Sequence, residues 1–149
     1  MERGQQRTQH SAEPARPNLT QIMTGDEVSS AQEIVTAAQA WGEYLKREEL
    51  KSSQIRNVFG EVRRIEMSWP VDSHNSTAER ELILLKPKLA YQAARDPKRD
   101  KRTGRGPVKS LEELISPAID MVQGDRQRFQ RFVDYFEAIL AYHKAAGGE

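Results

Sequence analysis

Arg56, Gly60, Arg63 and Arg64 recur at i, i+4, i+7 and i+8, with Lys51 just upstream. On a helix this spacing gathers the guanidiniums opposite an apolar stripe. A guanidinium fork matches the phosphates of a nucleic-acid backbone, and an exposed polar face is also what any amphipathic helix needs. A mid-helix Gly costs about 1 kcal/mol relative to Ala, so Gly60 implies a compensation. That compensation is close approach of a nucleic-acid backbone or close packing of another helix. A second set, Lys88, Tyr91, Gln92 and Arg95, shares a face at i, i+3, i+4 and i+7. Two cations flanking an aromatic suit a single strand, where stacking and phosphate contacts are the usual pair of terms. Taken alone, Tyr91 reads rather as a core residue with an anchored hydroxyl. The third set is a loop in which Arg95, Lys98, Arg99, Lys101, Arg102, Arg105 and Lys109 face only Asp96 and Asp100. A mobile cationic segment contacts phosphates without reading sequence, or it merely adds solubility.

These sets belong to a larger sorting of charge. Residues 51–109 carry fourteen basic and seven acidic side chains, both flanks are net acidic, and the whole chain sums to +1. A basic middle between acidic flanks attracts phosphate while limiting indiscriminate association.

Other chemistry is not legible. No nucleophile–base arrangement is present. Glu112 with Glu113, and Asp134 with Glu137, are carboxylate pairs of the kind surface helices carry, and acid–base catalysis would need a pocket around them. Gly104-Arg105-Gly106 lacks the preceding strand of a nucleotide-binding loop. His10, His74 and His143 are widely spaced and form no metal pattern, so no cofactor or metal is expected. His143 falls on an apolar face, where a buried, hydrogen-bonded role fits. The chain has no Cys, which removes disulfide and thiolate chemistry and fits a reducing cytosol or a thermophile avoiding labile residues. Its longest run of large aliphatics, Leu82–Leu85, is too short for a bilayer, and the start lacks the apolar core of a signal peptide. A cytoplasmic protein without a membrane partner is expected.

The elements that must position the cations all have helical spacing. Residues 1–25 are polar and aperiodic and read as a disordered tail; residues 26–149 read as a single helical-bundle domain. Helix one spans about Asp26 to Glu49 on Ile34, Ala38, Trp41 and Leu45, with Thr24/Glu27 and Ser30/Glu33 at capping-box spacing. Helix two starts near Ser52 or Ser53, runs on Ile55, Val58, Phe59, Val62, Ile65 and Trp69, and stops at Pro70. Helix three follows Ser76 on Leu82, Leu85, Leu89 and Ala93, with a kink or break expected at Pro87. Helix four spans about Val108 to Gln123, with Ser110/Glu113 as a capping box and Pro117 as an interruption. Helix five spans about Asp125 to Ala146 on Phe129, Phe132, Val133, Phe136, Ile139, Leu140 and His143, ending at Gly147–Gly148. The fold class is therefore all-α, a compact bundle of about five helices.

Two stretches go beyond composition: Lys86-Pro87-Lys88-Leu89-Ala90-Tyr91-Gln92-Ala93-Ala94-Arg95, and the run from Phe132 to Lys144. With Ser53-Gln54-Ile55-Arg56 upstream, they resemble, in order and separation, the small subunit of type III-A CRISPR effector complexes, over about residues 28–146. The resemblance implies an all-helical, non-catalytic subunit that stacks as a short filament. It would line the groove holding the guide RNA and target RNA, beside the backbone and large subunits that perform the chemistry. Matched to this chain, the implied RNA-facing residues are Lys51, Ser53, Arg56, Lys88 and Arg95, followed by Arg63, Arg64 and Lys86. The alternative is a helical adaptor that binds a protein partner through the aromatic face of helix five.

Overall fold

Asp26 fixes where the longest helix begins. Its carboxylate accepts a hydrogen bond from Ser29 N at 2.8 Å, satisfying one of the amides that every helix start leaves without a partner. The Ser29 bonds hold that carboxyl below its usual range. The computed structural model describes residues 12–149. In chain order it contains α1 (Leu19–Thr24), α2 (Glu27–Arg47), α3 (Ser52–Ser68), α4 (Ser76–Ile83), α5 (Leu85–Ala94), α6 (Pro107–Val122) and α7 (Arg126–Ala145). The all-α expectation holds: there is no strand among the described residues.

The expected apolar stripes meet in one core. Trp41 and Leu45 of α2, Val62 and Ile65 of α3, Leu82, Leu85 and Leu89 of α4 and α5, and Leu111 and Ile115 of α6 are all buried. Phe129, Phe132 and Phe136 of α7 are fully buried beneath them. Trp69 closes the end of α3 by stacking on Phe129 at 4.9 Å, while its carbonyl accepts from Arg126 Nε at 2.7 Å. His143 lies on the buried face with Nε2 2.8 Å from the Leu50 carbonyl, the hydrogen-bonded core role its position implied.

Helices α2 and α7 run parallel. Contact passes from Glu27 beside Arg131 to Gly42 beside Tyr142 and His143. A Cβ at Gly42 would lie 2.7 Å from both His143 N and Tyr142 Cβ. Gly42 is therefore required by close approach, not by its own backbone. Gly42→Ala should lower stability by about 2 kcal/mol. Overpacking costs about 1–3 kcal/mol, with the upper end expected where backbone must move, and the better helix propensity of Ala returns about 1 kcal/mol. A urea midpoint equal to that of the parent would contradict this.

Several boundaries differ from the sequence reading. A disordered tail through residue 25 was expected. Residues 1–11 lie outside the described residues, but residues 12–25 are ordered against the body. Ile22 and Met23 of α1 are buried, Trp41 Nε1 donates to the Ala15 carbonyl at 3.0 Å, and Arg131 Nη1 donates to the Gly25 carbonyl at 2.7 Å. Two apolar residues make no period, so the burial is visible only in three dimensions. Ser30 is no cap; its hydroxyl donates inward to the Ile22 carbonyl at 2.6 Å. Likewise Ser110 lies inside α6 and donates to Glu48 at 2.8 Å. Helix three does break, but at Leu84, the shared boundary of α4 and α5. Pro87 thereby falls in the first turn of α5, where its missing N–H has no intrahelical partner to lose. Pro117 does not interrupt α6. The proline is exposed, so the carbonyl it leaves unpaired can meet water, and the buried row Leu114, Ile115, Ala118 and Ile119 holds the helix across it.

Candidate nucleic-acid interface

Helices α3 and α5 lie side by side and frame a groove of about 340 Å³. Asn57, Val58 and Glu61 line it from α3, and Pro87, Lys88, Tyr91 and Gln92 line it from α5. The two helices are tied together at one end by Gln54. Its amide donates to Asp96 Oδ1 at 3.1 Å, while its carbonyl oxygen accepts from Lys51 N at 3.0 Å. Glu61 joins Arg64 of the first basic set to Lys88 of the second on one surface.

The cations on that surface are not equivalent. Arg63 bonds Glu66 at 2.9 Å, also pairs with Glu137, and lies 5.0 Å over the Phe59 ring. Arg64 pairs with Glu61 and bonds Glu81 at 2.8 Å. Lys86 pairs with Asp120, and Lys51 with Glu149 at 3.0 Å. The Arg64 hydrogen bond, with the charge of Lys88 nearby, holds the Glu61 carboxyl below its usual range. Those carboxylates already neutralise much of the charge the spacing predicts. Lys88 has only a 3.6 Å approach to Glu61 and stays exposed. Arg56 and Arg95 have no carboxylate partner among the described residues. Ser53 is exposed on the first turn of α3.

Tyr91 is 58 % exposed, which removes the core reading. Arg95 sits 5.4 Å from its ring centroid and donates to its hydroxyl at 3.2 Å. Gly60 is exposed, and a Cβ there would meet nothing within 4 Å, which removes helix packing as its explanation. Gly60→Ala should therefore raise stability by about 1 kcal/mol. A lower melting temperature would show an undetected packing role.

The basic loop is not slack, as its composition implied. Asp100 Oδ1 accepts from Arg102 N at 2.7 Å and Thr103 N at 2.9 Å. Asp96 is 3 % exposed; besides Gln54 it accepts from Lys98 N and Val108 N, each at 3.0 Å. Val108 is in the first turn of α6, whose preceding residue, Gly106, has no side chain to cap with. Asp96 caps α6 from a distance and fixes both ends of the loop. Arg105 is spent internally on Glu113 at 2.8 Å, which lowers the Glu113 carboxyl. Lys101 and Arg102 remain exposed.

Sequence reasoning missed Asp96, Gln54 and Asn57. The Asp96-Pro97 pair is a turn signal, but nothing in the spacing says that its carboxylate is buried. The aromatic face on which the adaptor reading rests is turned inward: Phe129, Phe132, Tyr135 and Phe136 of α7 are all in the core. No group of three or more metal-binding side chains occurs among the described residues, and no described helix is long and apolar enough to cross a membrane.

The described residues define the class: a small all-α helical bundle with an exposed groove between α3 and α5 that Lys88 borders. The family model described as Csm2 Type III-A matches residues 28–149, and the chain belongs to that family. It is a small subunit of the type III-A Csm complex and associates with other subunits of that complex. No curated protein and no solved structure matches the chain.

Proposed function

We propose that this chain is a non-catalytic, cytoplasmic subunit that binds target RNA, and the guide–target duplex, through the face carrying Arg56, Lys88 and Arg95. Copies stack as a filament against the backbone and large subunits, and sequence is read by the guide. The observation that carries the reading is that Lys88 and Arg95, exposed and weakly compensated, flank the exposed Tyr91 beside the α3–α5 groove, with Arg56 on α3 unpaired among the described residues, in a chain whose family works within an RNA-guided complex. Ser53 and Lys51 extend the face at the start of α3. Arg63, Arg64 and Lys86 contribute less, because each would have to leave a carboxylate to meet phosphate.

Phosphate contacts release counterions, so each contributes about −0.7 to the log–log salt slope on a single strand. Target-RNA retention by the assembled complex should weaken steeply from low to high salt, more so with this subunit than without it. Retention that is indifferent to salt, or equal in a complex lacking the subunit, would refute the assignment.

A further inference from the structure

From the geometry of the α3–α5 groove, we infer that it takes one unstacked nucleobase of an RNA strand. This rests on the RNA-binding reading and adds a base contact to what that reading makes a phosphate surface. Pro87 and Tyr91 form the α5 wall, and Val58 forms the apolar floor. The side-chain amides of Asn57 and Gln92 stand at the edge, and neither is hydrogen-bonded among the described residues. An aromatic wall with free amide donors and acceptors at its rim is how proteins hold single-stranded bases: by stacking and by hydrogen bonds to base edges. At about 340 Å³ the groove is at the small end of ligand-sized pockets, enough for a planar ring but short for a docking helix.

Charge identifies the occupant further. Lys88 borders the groove, and Arg95 is held against the Tyr91 ring and hydroxyl. A base entering this pocket would carry its own phosphate past those two cations. An apolar peptide side chain would satisfy neither the amides nor the charges. Arg95 also fixes the orientation of Tyr91 before anything binds, and a pre-oriented ring loses less freedom on stacking.

The test uses the full chain and three labelled hexamers of equal phosphate count: uridine, adenosine, and an abasic ribose-phosphate strand. Fluorescence anisotropy would be followed across salt concentrations. The base-bearing strands should bind about tenfold tighter than the abasic one, within the range of one stacked base. That ratio should stay constant as salt rises while every affinity falls, because stacking releases no counterions. Tyr91→Ala should erase the ratio, Tyr91→Trp should preserve it, and Gln92→Ala should reduce it. If all three hexamers bind equally and salt-sensitively, the base pocket is refuted and the phosphate surface stands. If Tyr91→Ala weakens all three hexamers by the same factor, Tyr91 acts only by positioning Arg95, and the pocket is again refuted. If no hexamer binds, either to the chain alone or in competition with target RNA on the assembled complex, the RNA reading falls with it. Protection of the groove by a neighbouring subunit would then identify a protein occupant.

Discussion

Asp96→Ala should lower the stability of the chain by about 4 kcal/mol and open the loop at 97–105 to proteolysis. The carboxylate is buried and accepts from Gln54, Lys98 N and Val108 N. Hydrogen bonds to a charged group contribute about 1.5–3 kcal/mol each, and an orphaned buried donor costs about 1–3 kcal/mol. Lys98 is exposed, so water can replace its share. Val108 is buried, and its amide opens α6 at the positive end of the helix dipole. The Val108 and Gln54 contacts therefore dominate the loss. Asp96→Asn keeps one acceptor but turns the other into a donor facing an N–H, so it should cost about half as much. Urea unfolding with an unchanged slope, together with the position of trypsin nicks, measures both effects. A loss under 1 kcal/mol for Asp96→Ala would show that the loop and α6 hold without it.

The apolar register of this fold was readable because burial and helical period coincide. Every residue of the α7 stripe from Phe129 to Ile139 that the spacing marks for the core is buried. The same spacing argument could not separate the cations. Arg56, Arg63 and Arg64 look alike on a helical face. What distinguishes them are Glu137 and Glu81, 74 and 17 residues away in the chain, which meet Arg63 and Arg64 but not Arg56. Tyr91 was ambiguous for a related reason. Leu85, Leu89 and Ala93 hold the buried side of α5 and leave Tyr91 on its exposed side, which the residue type alone does not decide. The ordering of residues 12–25 depends on a cleft between other helices, and local composition carries no record of it. Structural acids such as Asp96 hide best of all, since in a run of charges they read as solvated.

A triple variant, Arg56→Ala, Lys88→Ala and Arg95→Ala, should retain target RNA about tenfold to a hundredfold less well, with a nearly unchanged melting temperature. The matched control is Arg63→Ala, Arg64→Ala and Lys86→Ala, which removes the same charge from the same helices. The two sets differ in what surrounds them. Members of the first have at most a 3.6 Å approach to a carboxylate, so their loss removes phosphate contacts and little else. Arg95 also leaves the Tyr91 ring, an exposed cation–π contact contributing about 0.5–1 kcal/mol. Members of the second are already paired with Glu66, Glu137, Glu61, Glu81 and Asp120. Removing them breaks surface ion pairs of about 0–1 kcal/mol each and leaves carboxylates of α3, α4, α6 and α7 without those partners. The control should therefore melt lower yet bind with nearly the same salt slope. The first variant should lose about 2 from the magnitude of that slope, at about 0.7 for each of three phosphates. Net charge falls equally in both, so a nonspecific electrostatic effect predicts equal losses. Equal losses, or a greater loss in the control, would move the RNA face away from Arg56, Lys88 and Arg95. Unfolding of the first variant would mean that those side chains are structural and that the exposure of this face serves some end other than RNA.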